Sequence, residues 1–274
     1  MFRNFAWALF AVVVSLAAAL PADAKDGKVE VHWIGHAAFK LTSVEGKVIL
    51  IDPFITGNPK LSQEEKNLDA LGKIDLILVT HGHGDHVGDS IALAKTHKVP
   101  VYGPAGLNQT FSTLGLLPQE LSPRMNKTGT ITPFGPNVKI TQVKAEHSSE
   151  FLWKNPATGK METHVGGEPV GWIVEFENGF KLYHMGDTGL FGDMRLIGEY
   201  YKPDMLLIPI GGHYVLDPKA AAMATRDMIR PKYALPMHYG TNPLLKGTPA
   251  EYVKAMGATP VKILDWKQGQ KGRF

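Results

Sequence analysis

One stretch of this chain decides the fold: Val79-Thr80-His81-Gly82-His83-Gly84-Asp85-His86-Val87-Gly88-Asp89. The apolar residues 74–79 lead into it and predict a buried strand. His81 and His83 are two positions apart, so they cannot share a helix face, where neighbours are three or four residues apart. A strand end that passes into a tight turn accommodates this spacing, and the two intervening glycines give the turn backbone freedom.

Four side chains within this stretch are of the types that bind metals: His81, His83, Asp85 and His86. Imidazole nitrogen and carboxylate oxygen bind the divalent ion of a catalytic site that keeps one position open for water. The alternative interpretation is a solvated turn that is rich in histidine. The density of the motif favours a hydrolytic metal site.

Further motifs lie along the chain, namely Trp33-Ile-Gly-His36-Ala, Ile51-Asp52-Pro53, Glu146-His147-Ser148-Ser149, Gly186-Asp187-Thr188-Gly189-Leu190-Phe191, Pro209-Ile-Gly-Gly-His213 and Pro236-Met-His238-Tyr-Gly240-Thr241. Together with the His-x-His-x-Asp-His signature, they resemble the metallo-β-lactamase superfamily. The more specific resemblance is to the branch of predicted metal-dependent hydrolases that contains the ascorbate-phosphate lactonase. It runs from about Val29 to about Pro243 and is specific for fold and metal site, but weak for substrate.

The resemblance implies an α/β fold of four layers, an αββα sandwich, with two divalent ions as cofactors. It implies this ligand set: His81, His83 and His147 for one ion, Asp85, His86 and His238 for the other, and Asp187 between them. A hydroxide that bridges the ions would be the nucleophile, with Asp85 helping to accept or orient its proton. Zinc is favoured, while manganese and iron also suit nitrogen and oxygen ligands without sulfur.

Each distant ligand also has a simpler interpretation. Asp187 lies in Gly-Asp-Thr-Gly, which is good turn chemistry, and it could equally be a helix N-cap. His147 and His238 could be ordinary loop histidines. We expect ligation because all three accompany the His-x-His-x-Asp-His motif, and we leave open whether Ser148 or Ser149 caps or orients the site.

Three further residues are expected to act outside the ligand set. His213, which follows two glycines, is the candidate for stabilising the developing oxyanion or protonating the leaving group, unless it is a loop histidine. Asp52 would orient a ligand imidazole through its second nitrogen. His36 would contact the centre indirectly or be structural, the remaining histidines are expected to be structural, and substrate-binding residues are unknown from the sequence.

The N-terminus has the features of a secretory signal peptide. A short basic start is followed by an apolar run from Phe5 to Leu20 and by Ala22-x-Ala24, so we expect cleavage after Ala24 and a secreted or periplasmic protein. The alternative is an uncleaved membrane anchor, because the run is near the lower limit for spanning a bilayer. After processing, no stable membrane insertion is expected.

Length and composition favour one domain over residues 25–274. About 250 residues fit a single large α/β domain with an ample core. The net charge of +3 is too small to favour a nucleic-acid partner, so we expect a small-molecule substrate and leave a homo-oligomer open. The absence of cysteine excludes disulfides and thiolate ligands.

A pass along the chain predicts that five candidate residues follow strand ends: His81, His147, Asp187, His213 and His238. Strand ends can be gathered on one rim of a packed domain, so residues that are far apart in sequence can meet there. The same pass predicts single helices over 87–97 and 218–229, a short helix within 58–72 and a hairpin of strands 170–175 and 181–184. Residues 153–160 are either a mobile wall of the pocket, with Lys154 or Lys160 meeting an anion, or a plain surface hairpin.

These features favour a hydrolase that cleaves a small ester, lactone or phosphoester. The first alternative is β-lactam hydrolysis, which ranks lower because drug-hydrolysing members of the family have Cys or His where this chain has Asp187. The second is a non-catalytic protein that binds metal or a ligand. Relict sites usually lack ligands, and this ligand set is complete.

Overall fold

The computed structural model describes residues 26–274, so the predicted signal peptide of residues 1–24 lies outside the described residues. The strands are β1 (Glu30–Gly35), β2 (Ala38–Thr42), β3 (Val48–Ile51), β4 (Leu76–Leu78), β5 (Val101–Tyr102), β6 (Thr130–Ile131), β7 (Lys139–Lys144), β8 (Glu150–Lys154), β9 (Met161–Val165), β10 (Val170–Glu175), β11 (Lys181–His184), β12 (Met205–Pro209), β13 (Tyr233–Met237), β14 (Lys262–Ile263) and β15 (Lys271–Arg273). The α-helices are α1 (Gly84–Val87), α2 (Ser90–His97), α3 (Ala105–Thr113), α4 (Met194–Tyr201), α5 (Pro218–Met223) and α6 (Pro249–Met256).

Two mixed sheets form the centre of the fold. The first has the strand order β15-β1-β2-β3-β4-β5, and the second has the order β14-β13-β12-β11-β10-β7-β6. Strands β3, β4 and β5 are parallel, as are β11 to β14, while the remaining pairs in both sheets are antiparallel. Strands β8 and β9 pair only with each other and form a separate hairpin.

Alternation along the strands fills three apolar layers. In β4, Leu76 and Leu78 point into the core between the sheets, whereas Ile77 points outward to the layer that contains α2 and α3. In β12, Leu207 points inward and Leu206 points to the layer under α4, α5 and α6. Because the central strands are covered on both faces, they are apolar throughout. The predicted four-layer αββα sandwich is confirmed.

The predicted helix over 87–97 is wrong at its start. The chain forms a single turn, α1, and then breaks at Gly88 before α2 begins at Ser90. Gly88 has a φ of 43° and lies against the backbone of Pro53 and Phe54, where a Cβ would clash. The break is therefore imposed by a close packing contact that the helical pattern does not reveal.

Two other predicted helices are present, but their type or their ends differ from the prediction. The helix within 58–72 is a 3₁₀ turn, Leu68–Leu71. The helix over 218–229 has the expected Asp217 N-cap, but α5 passes into a π-helix over Ala224–Ile229. Strands β14 and β15 were not predicted, because two or three residues give too weak a pattern. Within the described part of the chain, none of the helices combines the length and apolarity needed to cross a membrane.

The strand ends form the expected rim. Strands β4, β7, β11, β12 and β13 end at Leu78, Lys144, His184, Pro209 and Met237, and each is followed within four residues by one of the five predicted site residues. Since β11, β12 and β13 are parallel neighbours, their ends lie side by side. The loops that leave them therefore start from one edge of the second sheet.

Candidate metal centre

His81, His83 and His147 form one compact group. One ring nitrogen of each lies within 4.8 Å of the other two. Nε2 of His81 is 3.0 Å from Nδ1 of His83, and the ring of His147 is 5.0 Å from that of His81 and 5.1 Å from that of His83. The structure thus brings together the three residues predicted for one ion.

Asp85, His86 and His238 form a second group, and His36 is part of it. The candidate ligand atoms of all four residues lie within 4.8 Å of one another. Oδ2 of Asp85 is 3.1 Å from Nε2 of His36 and 3.8 Å from Nε2 of His238. The four residues come from a β1–β2 turn, helix α1 and the loop after β13, so only the tertiary fold brings them together.

Asp187 lies between the two groups. Its Oδ1 is 3.2 Å from Nε2 of His86 and 3.1 Å from Nε2 of His238, whereas its Oδ2 is 3.6 Å from Nε2 of His147. The carboxylate follows β11 and is almost completely buried. Each of its oxygens therefore faces a different group of imidazoles.

Hydrogen bonds to Nδ1 of His81 and of His86 determine which ring nitrogen is left to bind a metal ion. Asp52 is fully buried and accepts from the Thr80 backbone N–H and hydroxyl, each at 2.7 Å, and from Nδ1–H of His86 at 2.7 Å. Because the Thr80 hydroxyl donates to Asp52, its oxygen can accept from Nδ1–H of His81 at 3.0 Å. Because Nδ1 of each ring is occupied in this way, Nε2 is the atom that each imidazole would offer to a metal ion. Asp52 has the orienting geometry that the sequence predicts.

The third orienting group is Glu150, which the sequence analysis missed. Oε2 of Glu150 accepts from Nε2–H of His83 at 3.0 Å, which leaves Nδ1 of His83 as an acceptor. Oγ of Ser149 accepts from the Gly82 N–H at 3.0 Å. A Cβ at Gly82 would lie 2.9 Å from the Glu150 carbonyl oxygen, so this glycine is required by close packing rather than by the turn freedom that we expected. An acidic residue three positions after His147 was the available signal.

The donor set fits a divalent metal ion. In the tautomers that these hydrogen bonds favour, Nε2 of His81 and Nδ1 of His83 both present lone pairs, and a cation between them would offset the repulsion at their separation of 3.0 Å. Nε2 of His86, Nε2 of His238 and Oδ1 of Asp187 are buried. Although Oδ1 lies 3.1–3.2 Å from the two nitrogens, none of the three atoms has a well-aligned hydrogen bond among residues 26–274. Buried polar atoms without partners are rare and costly, and here they converge on one place.

The electrostatics of the centre favour positive charge. Burial alone would raise the pKa of Asp187, but His238 and His86 outweigh burial and hold this pKa well below its usual value. Burial alone would lower the pKa of His86, but the carboxylates of Asp187 and Asp52 raise it well above its usual value. Burial lowers the pKa of His81 and of His147, so these imidazoles are neutral, as metal ligands must be.

His36 holds Asp85 in place. Burial, reinforced by the nearby His238, lowers the pKa of His36 to about 4, so the ring is neutral at pH 7. Its Nδ1 is 3.0 Å from the Thr241 hydroxyl, and its Nε2–H can donate to Asp85. Burial opposes ionisation of Asp85, but His86 and the hydrogen bond from His36 outweigh it and lower the Asp85 pKa. Thr241 ends the motif that begins at Pro236 and contains His238, but the contact of Thr241 with His36 was not predicted.

Four of the eight non-glycine residues that have a positive φ among residues 26–274 lie in the loops of this rim. The φ angle lies between 46° and 58° in His36, Asp52, His213 and His238. Residues other than glycine rarely adopt this region. Such conformations cost about 1–3 kcal/mol each and persist where the surrounding structure fixes them. Packing of the strand ends therefore sets the direction of these side chains.

His213 and His184 differ from the ligand set. His213 is exposed in the loop after β12, its ring packs against Tyr214, and within the described residues it forms no hydrogen bond with a predicted ligand. Its catalytic role stays a prediction. His184 is structural, as expected: its Nε2–H can donate to the Ala37 carbonyl at 2.9 Å, and its Nδ1 accepts from the Gly186 N–H.

Comparison with known proteins supports the same conclusion. Residues 47–239 match the model of the β-lactamase superfamily domain. A UPF0173 metal-dependent hydrolase of Polaromonas is 57% identical over 248 residues, which is 90% of each chain. A metal-dependent hydrolase of Rubrobacter xylanophilus is 44% identical over 226 residues, 82% of this chain and 88% of the relative. The metallo hydrolase Igni18 of Ignicoccus hospitalis aligns with a TM-score of 0.74 and 32% identity, over 90% of this chain and 98% of Igni18.

The fold and the site define a metal-dependent hydrolase. The chain belongs to the metallo-β-lactamase superfamily.

Removal of the Asp52 carboxylate should weaken metal binding without unfolding the chain. In Asp52→Asn, an amide N–H₂ would face either Thr80 or His86, so the His86 ring loses its orientation. We expect a fall in metal affinity of about 10–100-fold, measured by competition with a chromophoric chelator. Asp204→Asn is the control, because Asp204 holds the Lys181 N–H far from the centre. Equal affinities for the two variants would contradict the assigned role.

Glu150→Ala should also reduce metal affinity, but by less, about 10-fold or below, because the Glu150–His83 pair is partly exposed. The same hairpin contains a matched pair, Glu162 with His164 at 3.2 Å. Among residues 26–274, neither residue forms a hydrogen bond or ion pair with a predicted ligand. Glu162→Ala should leave metal affinity unchanged in the same titration. A similar loss in both variants would indicate a general effect of the hairpin rather than orientation of His83.

Proposed function

We propose that this hydrolase is binuclear and cleaves a small ester, lactone or phosphoester. The observation that carries the proposal is the position of Asp187, whose two oxygens face two separate imidazole groups. A shared carboxylate of this kind suits two ions, one held by His81, His83 and His147, and the other by Asp85, His86 and His238. Zinc is the favoured metal, with manganese or iron as alternatives.

When bound, the two ions would lower the pKa of a water and polarise the oxygen of the scissile group. The residues of the chain orient and protect this chemistry. Asp85 is 42% exposed and faces the solvent side of the centre, so it is placed to accept the proton that the nucleophile loses. Its Oδ2 accepts a hydrogen bond from Nε2–H of His36, which fixes the orientation of the carboxylate.

His213 is our candidate for donating a proton to the leaving group. It is exposed, it lies on the loop after β12, and its φ of 58° sets the direction in which the side chain leaves the backbone. The ligand set and the relatives named as metal-dependent hydrolases support hydrolysis, and the ester, lactone or phosphoester substrate is part of our proposal. β-Lactam hydrolysis is the lower-ranked alternative, because no observation of the site favours it over other acyl substrates.

The test combines metal analysis with a substrate panel. Elemental analysis of the protein from its own compartment should give about two ions per chain, and chelation should abolish hydrolysis until metal is restored. Asp187→Ala should lose metal and at least ~100-fold of the rate on esters, lactones or phosphodiesters, whereas His213→Ala should keep its metal and lose rate only. His97→Ala is the control. Full activity with one ion per chain, or no hydrolysis of any panel compound, would contradict the proposal, and preference for nitrocefin would favour the alternative.

We also propose that the protein is exported after cleavage behind Ala24. The support is the apolar run and the small residues before Lys25. Fractionation of the native cells should place the protein outside the cytoplasm, with a mature N-terminus at Lys25 by mass spectrometry. A full-length protein that starts at Met1 and remains in the membrane fraction would support an anchor. The proposed partner is a small-molecule substrate rather than a nucleic acid.

A further inference from the structure

The hairpin of β8 and β9 has two unlike faces. Phe151 is buried in the layer beside α3, and its ring packs edge-on against Phe111 at 5.3 Å. Trp153, on the same face, packs against this layer and against the ring of His164. This inner face therefore anchors the hairpin to the first sheet and its helices.

The outer face presents three exposed apolar side chains among polar ones. Residues at alternate positions share a face, so Glu150, Leu152 and Lys154 lie on the outer side. The residues directly opposite them are Val165, Thr163 and Met161. Leu152 is 61% exposed, Met161 60% and Val165 68%. We call these three residues the hairpin strip.

The strip begins at the metal centre. Glu150, which shares its face and lies directly opposite Val165, contacts the ring of His83 at 3.0 Å. Leu152 lies two residues further along β8, about 7 Å from Glu150 at the usual rise of a strand. The outer face therefore starts at a residue that contacts a predicted ligand and continues along the hairpin away from the centre.

We propose that the hairpin strip binds an apolar alkyl or aryl group of the substrate, next to the scissile bond held at the metal centre. The proposal rests on the hydrolase function proposed above and names its substrate class: an ester, lactone or phosphoester with an apolar substituent. Three partly exposed side chains offer on the order of a few hundred Å², which suits one ligand group. A second copy of the chain would need about 800 Å² per partner, more than the strip provides.

The experiment measures binding to the zinc-loaded protein, separately from hydrolysis. Octanoate and acetate share a carboxylate and differ only in the apolar tail, so their affinities by isothermal titration calorimetry isolate the contribution of the tail. We expect octanoate to bind about 10-fold or more tightly than acetate. In Leu152→Thr/Met161→Thr/Val165→Thr this preference should fall by at least about threefold, with acetate affinity and zinc content unchanged. Threonine retains a high strand propensity and removes the apolar surface.

Leu196→Gln is the matched control, because Leu196 is 63% exposed on α4, on the outer layer of the other sheet. It should keep the full preference for octanoate. Hydrogen exchange over residues 150–165 checks that the triple variant retains the hairpin, and the single variant Leu152→Thr provides the comparison if it does not.

Each outcome has a distinct meaning. Equal affinities of octanoate and acetate would overturn the proposed role of the hairpin strip, and so would a preference for octanoate that survives in the triple and single variants. A concentration-dependent dimer that the triple variant abolishes would also overturn it. Hydrolysis of the ester panel can still hold in those cases. A preference for octanoate that is lost in the variants supports the strip even where no panel ester is cleaved, a result that would count against the proposed hydrolysis alone.

Discussion

The buried carboxylate of Asp187 among imidazoles is the interaction on which the rest of this structure depends. Removing a carboxylate from water costs several kcal/mol even after relaxation, unless positive charge or hydrogen bonds compensate it. Here the neighbours are His86 and His238, and a second buried carboxylate, Asp52, faces His86 from the other side. Carboxylates and imidazoles therefore alternate through the centre, and the arrangement favours cations.

Such an arrangement requires a rigid frame, and the four layers provide it. The strands that lead to the site are covered on both faces, so their ends have little freedom to move. The loops that leave them hold His36, Asp52 and His238 in left-handed conformations. The side chains are thus oriented by the packing of the sheets before any ligand binds, which is the preorganisation that a hydrolytic centre needs.

The hairpin of β8 and β9 links this centre to its surroundings. Its base holds His83 through Glu150 and Gly82 through Ser149, while its inner face is packed against the core. A two-stranded sheet is marginally stable by itself, so these contacts give the hairpin its fixed position. A substrate group that lies on its outer face would consequently be held in register with the metal ligands.

The sequence by itself determined the chemistry of the site. His81, His83, Asp85 and His86 are adjacent in the chain, and His147, Asp187 and His238 follow strand ends that apolar patterns predict well, because side-chain alternation and turn residues are local properties. The αββα fold came from the resemblance of six motifs, since composition alone does not separate it from a doubly wound sheet.

Only the tertiary structure decided the partners of those ligands. Thr80, Thr241 and Glu150 have ordinary local sequences, and their roles arise from contacts between segments that are up to 205 residues apart. The break at Gly88 likewise results from packing against Pro53 and Phe54 rather than from its own neighbours. Short motifs therefore determine the residue types of the ligands. The orientation of the ligand side chains depends on contacts between distant segments, which form only when the two sheets pack.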